Sequence, residues 1–241
     1  MAETKCAVIL VAGEGKRLRP FTENNPKCFA EVSNRRILDN ALHALSQHGC
    51  EKVWLVAGHL AEQIQDAIKS PYDGMQINFV NNFSYQSTNS MYSLWLGLEQ
   101  LDEPAWVVEG DIFMDGAIFG LPVSSEISWF VDSSSRECDG AYVETDAYGR
   151  ARSLEIIRDL RLLRPNQYKS VGILNLSKTG VDKLRSWLGH GVKEGRENDY
   201  YDLILGGRLA DNQVQVVDVA GFKWFEIDTP TELEKAREMF S

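Results

Sequence analysis

The chain has 241 residues, of which 44% are hydrophobic, and a formal net charge of −10 at neutral pH. This length suits one large α/β domain or two small ones, and the acidic balance argues against general binding to nucleic acid or anionic membranes. The longest apolar stretches have the length of strands, so no transmembrane helix is predicted. The first residues lack the basic start of a signal peptide and the cysteines lack metal-ligand spacing, so we expect a cytoplasmic protein with reduced thiols. The cysteines are Cys6, Cys28, Cys50 and Cys138.

The most informative segment follows the first predicted strand, the apolar run Cys6–Val11. Residues 13–27 hold two glycines and four cations against an otherwise acidic background. Glycine lets a backbone approach a ligand closely, backbone N–H groups bind phosphate oxygens, and lysine and arginine supply charge. The spacing fits neither the dinucleotide-binding fingerprint, which has glycine where Leu18 stands, nor the Walker loop. The segment therefore predicts a phosphate site of another kind.

Strands and helices alternate through the rest of the first half, which predicts a parallel sheet with right-handed crossovers. In chain order the hydrophobic periodicity predicts a helix at Ile37–His48, a strand at Lys52–Ala57, a helix at Leu60–Lys69, a strand at Ile77–Val80, a helix at Ser90–Leu101 and a strand at Ala105–Val108.

The second half is richer in strands. A turn at residues 146–149 separates two strand-like segments and predicts a hairpin. The last helix begins with a capping box, in which Thr229 is the N-cap, Pro230 is N1 and Glu232 is N3. The predicted strands are Ile127–Val131, Ala141–Thr145, Arg152–Ile157, Tyr168–Leu176, Val214–Val219 and Phe222–Ile227, and the other helices are Lys178–Leu188 and Asp199–Leu209.

Carboxylates follow two of these strands. Asp111 lies just beyond an apolar strand, and ligands gather outside the carboxyl ends of strands in open α/β sheets. Because Mg²⁺ prefers one or two carboxylates together with phosphate oxygens, Asp111 is a candidate metal ligand, with a plain turn or helix cap as the alternative. The alternation of side chains places Glu226 and Asp228 on one face of a later strand, where they are a second pair of candidate metal ligands. For Asp228 the alternative is a role in capping the following helix. Asp115 is expected to be solvated.

Two further segments suggest ligand contacts. Residues 81–94 form a polar loop that leads into a helix, with Thr88 or Asn89 able to cap it, and such neutral donors and acceptors suit a nucleobase. An ordinary capped helix is the alternative. Residues 198–202 place two tyrosines between aspartates, and ring faces with carboxylates can hold an ammonium ion. Packing of the rings into the core is the alternative. The predicted cage comprises Asp199, Tyr200, Tyr201 and Asp202, with Trp129 and Phe130 as further walls.

The order Gly-x-Gly-x-Arg, then Pro20, then Pro26-Lys27 resembles the signature of the nucleoside-triphosphate transferases, the sugar-phosphate nucleotidyltransferase superfamily. Lys16 stands where serine or threonine is usual. The resemblance implies an α/β fold with a Rossmann-like mixed, mainly parallel sheet flanked by helices, of the nucleotide-diphospho-sugar transferase type. It implies a single catalytic domain over residues 1–241, with a nucleotide-binding half at 1–125 and an acceptor-binding half at 126–241.

The resemblance also implies roles for individual residues. The nucleotide would be bound by Ala12, Gly13, Gly15, Lys16, Arg17, Asn89 and Asp111. Lys27 and Arg17 would be the catalytic cations, and Asp111, Asp228 and Glu226 would hold Mg²⁺. The acceptor would contact Asp199, Tyr200, Tyr201, Asp202 and Trp129.

The stretch from Thr88 to Leu94 resembles the corresponding part of the small cytidylyltransferases that act on phosphocholine and similar head groups. The sequence therefore predicts a Mg²⁺-dependent enzyme that joins CTP to a phosphate or phosphonate of the phosphocholine, phosphoethanolamine or 2-aminoethylphosphonate type. The alternatives are a sugar-1-phosphate nucleotidyltransferase that uses UTP or dTTP, and a non-catalytic nucleotide-binding regulatory subunit. No nucleic-acid or membrane partner is predicted, and a homodimer remains open.

Overall fold

The computed structural model describes residues 4–135, 140–210 and 213–241, and Cys138 lies outside these ranges. Within them, thirteen strands and six α-helices are present. The strands are β1 (Cys6–Val11), β2 (Glu31–Val32), β3 (Arg35–Arg36), β4 (Lys52–Ala57), β5 (Gln76–Asn81), β6 (Ala105–Glu109), β7 (Ile112–Met114), β8 (Ile127–Asp132), β9 (Gly140–Thr145), β10 (Ala151–Ile157), β11 (Gln167–Leu176), β12 (Val214–Asp218) and β13 (Trp224–Glu226). The helices are α1 (Ile37–Gln47), α2 (Ala61–Ala67), α3 (Ser90–Leu98), α4 (Lys178–Lys193), α5 (Tyr201–Gly206) and α6 (Pro230–Met239).

One mixed sheet of nine strands organises the fold. Its main path runs β10-β9-β11-β6-β1-β4-β5. Off this path, β8 pairs with β11, and β12 pairs with β8. Strands β6, β1, β4 and β5 are mutually parallel, as predicted for the first half. The hairpin β9–β10 and the strand β11 are antiparallel additions from the second half. The pairing of β11 with β6 therefore places both halves of the chain in one sheet.

Helices cover both faces of this sheet. Alternation along β1 puts Ile9 in one apolar cluster with α1 and Val8 in another with α3, α4 and α5. Helix α4 extends five residues beyond the predicted end at Leu188, because Gly191 packs closely on Met91 and Ile204 instead of ending the helix. Conversely, α3 ends at Leu98 and α5 covers only part of the predicted Asp199–Leu209 helix. Among the described residues, no helix combines the length and apolarity needed to cross a bilayer.

Short strands that the sequence analysis missed complete the fold. Strand β7 pairs antiparallel with β13, and the Ile227 N–H donates to the carbonyl oxygen of Asp111 (3.0 Å). This ribbon ties the end of β6 to the segment before α6. The predicted capping box at the start of α6 is confirmed, with both Thr229 and Glu232 making their reciprocal bonds. A third apolar cluster lies beneath this region and joins Leu18, Phe113, Ile227 and Leu233.

Candidate active site

Residues 12–17, which follow β1 and lead into the first short helical turn, are here called the phosphate loop. Gly15 has φ of 61°, in the left-handed region that favours glycine. Its carbonyl oxygen accepts a hydrogen bond from Thr22 Oγ1 at 2.8 Å, and a Cβ built on Gly15 would lie only 3.0 Å from Lys27 Cβ. A Cβ on Gly13 would meet open space. The loop is therefore bent tightly onto Lys27 while its Gly13 side stays accessible to a ligand.

Lys27 bridges two aspartates at the mouth of the sheet. Its Nζ lies 2.7 Å from Asp111 Oδ2 and 2.5 Å from Asp228 Oδ1. Burial alone would lower the pKa of Lys27, but the two carboxylates outweigh it and hold that pKa above its ordinary value. Burial raises the pKa of Asp228, and the attraction of Lys27 more than reverses this, so that its pKa is lowered. Lys27 is therefore a fixed positive charge between Asp111 and Asp228.

The arginine and the lysine of the phosphate loop behave differently. Arg17 pairs with Asp228 Oδ2 at 2.7 Å, so Asp228 has a cation on each side. Lys16 pairs with Glu14 at 2.6 Å and its side chain is 65% exposed. The structure thus brings Arg17 to the predicted metal carboxylate, and it leaves Lys16 at the rim of the loop.

Four carboxylates gather behind Lys27, and we call Glu109, Asp111, Asp202 and Glu226 the acidic cluster. Carboxylate oxygens of Glu109, Asp111 and Glu226 lie within 4.8 Å of one another. Burial, followed by repulsion from Asp111, Asp202 and Glu226, raises the pKa of Glu109 well above its ordinary value. The Oδ1 atom of Asp111 is buried and accepts no hydrogen bond. The predicted ligands Asp111 and Glu226 therefore lie together, whereas Asp228 is joined to Asp111 through Lys27.

These residues open on a cavity of about 410 Å³, here the front cavity. A neighbouring recess of about 230 Å³ shares several of its walls and reaches Glu109 and Glu226. The loop before α3 forms one side. There Asn89 caps α3 by accepting from the Ser90 N–H at 2.8 Å, as predicted, while Thr88 bonds to Asn82 and Ser84 instead. The front cavity is lined by the phosphate loop from Gly13 to Arg17 and by Lys27, Tyr85, Thr88, Asn89, Asp111, Tyr200 and Asp228, among others.

The predicted aromatic cage does not assemble as a unit. Tyr200 is 54% exposed and lines the front cavity, whereas Tyr201 is fully buried in the core beneath α3 and α4. Burial and the nearby carboxylate of Glu109 raise the pKa of Tyr201 well above its ordinary value. Tyr200 is the N-cap with an extended backbone and Tyr201 is the first residue of α5, and this change in backbone conformation separates the two rings. Asp199 faces Arg196, at 2.7 Å, and lines none of the cavities described above.

The prediction that Trp129 and Phe130 form further walls of the cage was wrong. Trp129 is fully buried, and its Nε1 donates to Ser170 Oγ at 2.9 Å. Phe130 is also fully buried, on the opposite face, with its ring 5.5 Å from that of Trp106. Both faces of β8 are covered, so neither ring reaches a ligand. The alternative of core packing is the correct one for these two residues.

Asp202, by contrast, belongs to the acidic cluster. Its Oδ1 is buried without a hydrogen-bond partner. Burial raises its pKa to about 7, with Lys169 opposing this effect and Glu226 adding to it. The predicted contact of Asp202 with an acceptor stays a prediction, and no tyrosine cage surrounds this residue in the described part of the chain.

The sequence analysis missed two of these residues, Lys169 and Glu109. Lys169 lies on β11, its side chain is 5% exposed, and its Nζ is 2.9 Å from Glu226 Oε2. Burial would lower the pKa of Lys169, but the Glu226 carboxylate holds it above the ordinary value. A lysine within the otherwise buried strand Gln167–Leu176, and a glutamate at the end of the apolar strand β6, were the signals available.

A second cavity of about 350 Å³, the side cavity, adjoins this ion pair. It shares Arg17 and Asp228 with the front cavity but contains none of the loop residues 85–89. Its polar walls include Arg17, Asp132, Lys169, Glu226, Asp228 and Glu232, and its apolar walls include Phe222, Trp224, Phe225 and Met239.

Comparison with known proteins gives consistent matches. Residues 7–115 match the MobA-like NTP transferase domain. The chain is 29% identical to the CMP-5'-(3-aminopropyl)phosphonate synthase of Streptomyces rubellomurinus over 98% of its own length but only 38% of that protein. It is 26% identical to the choline-phosphate cytidylyltransferase of Streptococcus pneumoniae over 97% of both chains. It is 24% identical to the 2-aminoethylphosphonate cytidylyltransferase of Lancefieldella rimae over 96% of this chain and 92% of that one.

Solved structures share the fold along the whole chain. The CTP:phosphocholine cytidylyltransferase of Streptococcus pneumoniae superposes with a TM-score of 0.82 at 23% identity and covers 98% of this chain and 100% of its own. The inositol-1-phosphate CTP transferase of T. maritima gives 0.77 at 21% identity, with 99% and 96% covered. These structural likenesses confirm the fold class predicted from the sequence, and the sequence matches agree with the predicted family resemblance.

Proposed function

We propose that the chain is a Mg²⁺-dependent cytidylyltransferase, and its match to the MobA-like NTP transferase domain over residues 7–115 supports this. It would join CTP to a small acceptor that carries a phosphate or phosphonate and release pyrophosphate. The observation that carries this proposal is the bridge of Lys27 between Asp111 and Asp228, directly beside the phosphate loop. A triphosphate bound at this loop would lie beside cations and candidate metal-ligand carboxylates.

The choice of CTP rests on relatives and on the base side of the front cavity. Three relatives that align over nearly the whole chain are named for cytidylyl transfer or for a CMP-linked product. In this chain the loop before α3 supplies neutral polar groups at Thr88 and Asn89 on the wall of the front cavity, and the buried amide of Asn82 donates to Thr88 Oγ1. Neutral donors and acceptors on a fixed backbone are what discrimination of a base edge requires.

The acidic cluster fits a divalent cation. Its carboxylates repel one another, and the buried Asp111 Oδ1 lacks a partner, so a bound cation would relieve both costs. Asp111 and Glu226, with Glu109 or Asp228, would hold Mg²⁺, which prefers carboxylates and phosphate oxygens. When bound, the metal would neutralise charge on the phosphates of CTP.

The chain's own residues supply position and charge. An oxygen of the acceptor phosphate or phosphonate would attack the α-phosphorus in line. The new P–O bond forms as the bond to the β-phosphate oxygen breaks, and that electron pair leaves with pyrophosphate. Lys27 would face the α-phosphate, where charge changes most, and Arg17 and the phosphate-loop N–H groups would hold the leaving phosphates. The acceptor oxyanion is already ionised near neutral pH and needs no base.

The acceptor would extend from Lys27 into the side cavity. That cavity shares Arg17 and Asp228 with the nucleotide side, and at about 350 Å³ it suits a molecule of the size of phosphocholine, phosphoethanolamine or 2-aminoethylphosphonate. These three are the first acceptors to assay, because the relatives are named for choline phosphate or aminoalkylphosphonates.

The test is a pyrophosphate-release screen with Mg²⁺ in which CTP, UTP, dTTP and GTP are each combined with a panel of phosphates, phosphonates and sugar 1-phosphates. We expect release with CTP and a small acyclic acceptor, and a kcat/KM for CTP at least about 10²-fold above that for dTTP. Equal values for CTP and dTTP, or release only with a sugar 1-phosphate, would contradict the proposal in favour of the sugar-nucleotide alternative. Tight CTP binding with no turnover of any acceptor would favour the regulatory alternative.

A further inference from the structure

The acidic cluster already contains a cation of the protein's own. Lys169 Nζ lies 2.9 Å from Glu226 Oε2, and the lysine side chain is 5% exposed. Glu109 and Asp202 also lie within its electrostatic reach. The acidic cluster therefore already holds one ammonium, that of Lys169.

Strand β9 leaves room for this ammonium. Gly140 begins β9, and a Cβ built on it would lie 2.0 Å from Lys169 Nζ. Carbon and nitrogen atoms that are not bonded cannot approach so closely, so any side chain at position 140 would displace the ammonium. The absence of a side chain at position 140 and the ion pair to Glu226 together fix Lys169 in place.

Lys169 brings spare hydrogen-bond donors to the side cavity. An ammonium has three N–H groups, and within the described part of the chain Lys169 directs one to Glu226. The carboxylates of the cavity already accept from protein groups. Asp132 accepts from Ser134, Ser135 and the indole of Trp224, Asp228 accepts from Lys27 and Arg17, and Glu232 accepts from the backbone N–H groups of Asp228 and Thr229.

We propose that Lys169 determines acceptor specificity by supplying this positive charge from within the protein, so that the enzyme selects acceptors whose far end is a hydroxyl or a carboxylate, not an ammonium. The inference rests on the proposed cytidylyl transfer and names its acceptor class more narrowly. It separates this chain from the relatives that are named for choline phosphate or aminoalkylphosphonates.

The expected discrimination has a simple electrostatic origin. An acceptor ammonium in the side cavity would lie beside a second ammonium that is shielded from water, and like charges there repel more strongly than in bulk solvent. An acceptor hydroxyl or carboxylate would instead accept from the spare N–H groups of Lys169. We therefore expect at least a tenfold preference in kcat/KM for the oxygen-bearing member of a matched pair.

The experiment uses acceptors matched in length. 2-Aminoethyl phosphate is compared with 2-hydroxyethyl phosphate, and 2-aminoethylphosphonate with carboxymethylphosphonate, each with CTP and Mg²⁺. The wild type should prefer the second member of each pair at least tenfold. Lys169→Met should remove that preference or reverse it. Lys183→Met, which breaks a surface pair with Glu126 far from the site, is the matched control and should keep it.

A second variant guards against a folding defect in Lys169→Met. Gly140→Ala keeps the charge but forces the ammonium to move, and we expect it to weaken the preference. Thermal unfolding and CTP affinity report on integrity in every variant.

The outcomes separate the two proposals. Turnover of the amine-bearing members at equal or higher kcat/KM by the wild type would overturn the inference and leave cytidylyl transfer intact. An unchanged preference in folded Lys169→Met would do the same. The absence of pyrophosphate release with every acceptor would instead overturn the proposed function.

Discussion

The phosphate loop and the acidic cluster meet at one site, but they are built in opposite ways. The loop with Lys27 comes from one continuous stretch, and its Arg17 side chain is 60% exposed. The cluster joins Glu109, Asp111, Asp202 and Glu226, and the side chain of Lys169, which pairs with Glu226, is 5% exposed against 31% for Glu226 itself. An exposed ion pair contributes little to stability because water screens it. A buried ion pair costs more desolvation free energy, and removal of one partner has a larger effect. We infer that the loop supplies general phosphate affinity and the cluster supplies metal and acceptor selection.

The largest effect should come from Asp111, the residue that belongs to both regions through its bond to Lys27. Asp111→Asn keeps the shape and removes the charge, so we expect kcat with Mg²⁺ to fall by about 10³-fold, or roughly 4 kcal/mol. Asp115→Asn is the control, because Asp115 is exposed and only caps a short helical turn, which asparagine does equally well. A folded Asp111→Asn enzyme with more than about a tenth of wild-type kcat would show that Asp111 is no principal metal ligand.

Lys27 tests whether the nucleotide side acts in the transition state. A cation aimed at developing charge in a dry site contributes about 10²- to 10³-fold in rate. Lys27→Ala should therefore lower kcat by that factor and change the KM for CTP less. Steady-state kinetics will decide, with the surface pair variant Lys52→Ala for comparison. Normal kcat with weakened CTP binding would assign Lys27 to ground-state binding, and the contrast between the two regions would lose its basis.

The acidic cluster should leave a signature in stability as a function of pH. The pKa of Asp202 is raised from 3.8 to about 7, so between these values the native state holds a proton that the unfolded chain has released. Stability of the metal-free enzyme should consequently fall as pH rises through this window, by up to about 1.4 kcal/mol per unit for one proton. Glu109 and Glu226 act in the same direction, while Lys169 opposes the shift.

Urea unfolding at pH 5, 6, 7 and 8 measures this dependence. Asp202→Asn carries no titrating carboxyl, so the wild type should lose stability relative to this variant as the pH rises. A difference between the two proteins that stays constant from pH 5 to 8 would mean that Asp202 is ionised throughout.

The smallest effect is expected from Tyr200, which lies at the edge between the two regions. Its half-exposed ring lines the front cavity, and such a contact contributes about 0.5–1.5 kcal/mol. Tyr200→Ala should raise a substrate KM about two- to tenfold without changing the melting temperature. Tyr148→Ala, which removes an exposed ring from the remote β9–β10 turn, should change neither quantity. A drop in the melting temperature for Tyr200→Ala would place the ring in the core.

The phosphate loop was predictable because its chemistry is local. Glycine, cations and proline at fixed spacing after an apolar strand define it without reference to any other segment. The parallel first half and the capping box of α6 were predictable for the same reason. The strand β7 was not, because three apolar residues carry no measurable periodicity, and only its pairing with β13 reveals the role of the ribbon.

The acidic cluster shows where local patterns stop. The alternation in Trp224–Asp228 correctly grouped Glu226 with the site, but nothing local shows that Lys169 pairs with it across 57 residues. Trp129 and Phe130 were misassigned because the sequence of a strand does not show whether one face or both faces of the sheet are covered by other elements. Tyr200 is 54% exposed and the next residue, Tyr201, is fully buried. Only the packing of α5 decides this difference.

The apolar cluster beneath the site predicts how substitutions there will affect the protein. Leu18, Phe113 and Ile227 lie within one or two residues of Arg17, Asp111 and Asp228, and they pack together under α6. One hydrophobic contact area therefore sets the spacing of three charged groups that are far apart along the chain. Conservative changes in size there would move the charges by fractions of an ångström while the fold persists. In a mutational scan, such positions would be scored as loss of activity at normal protein abundance.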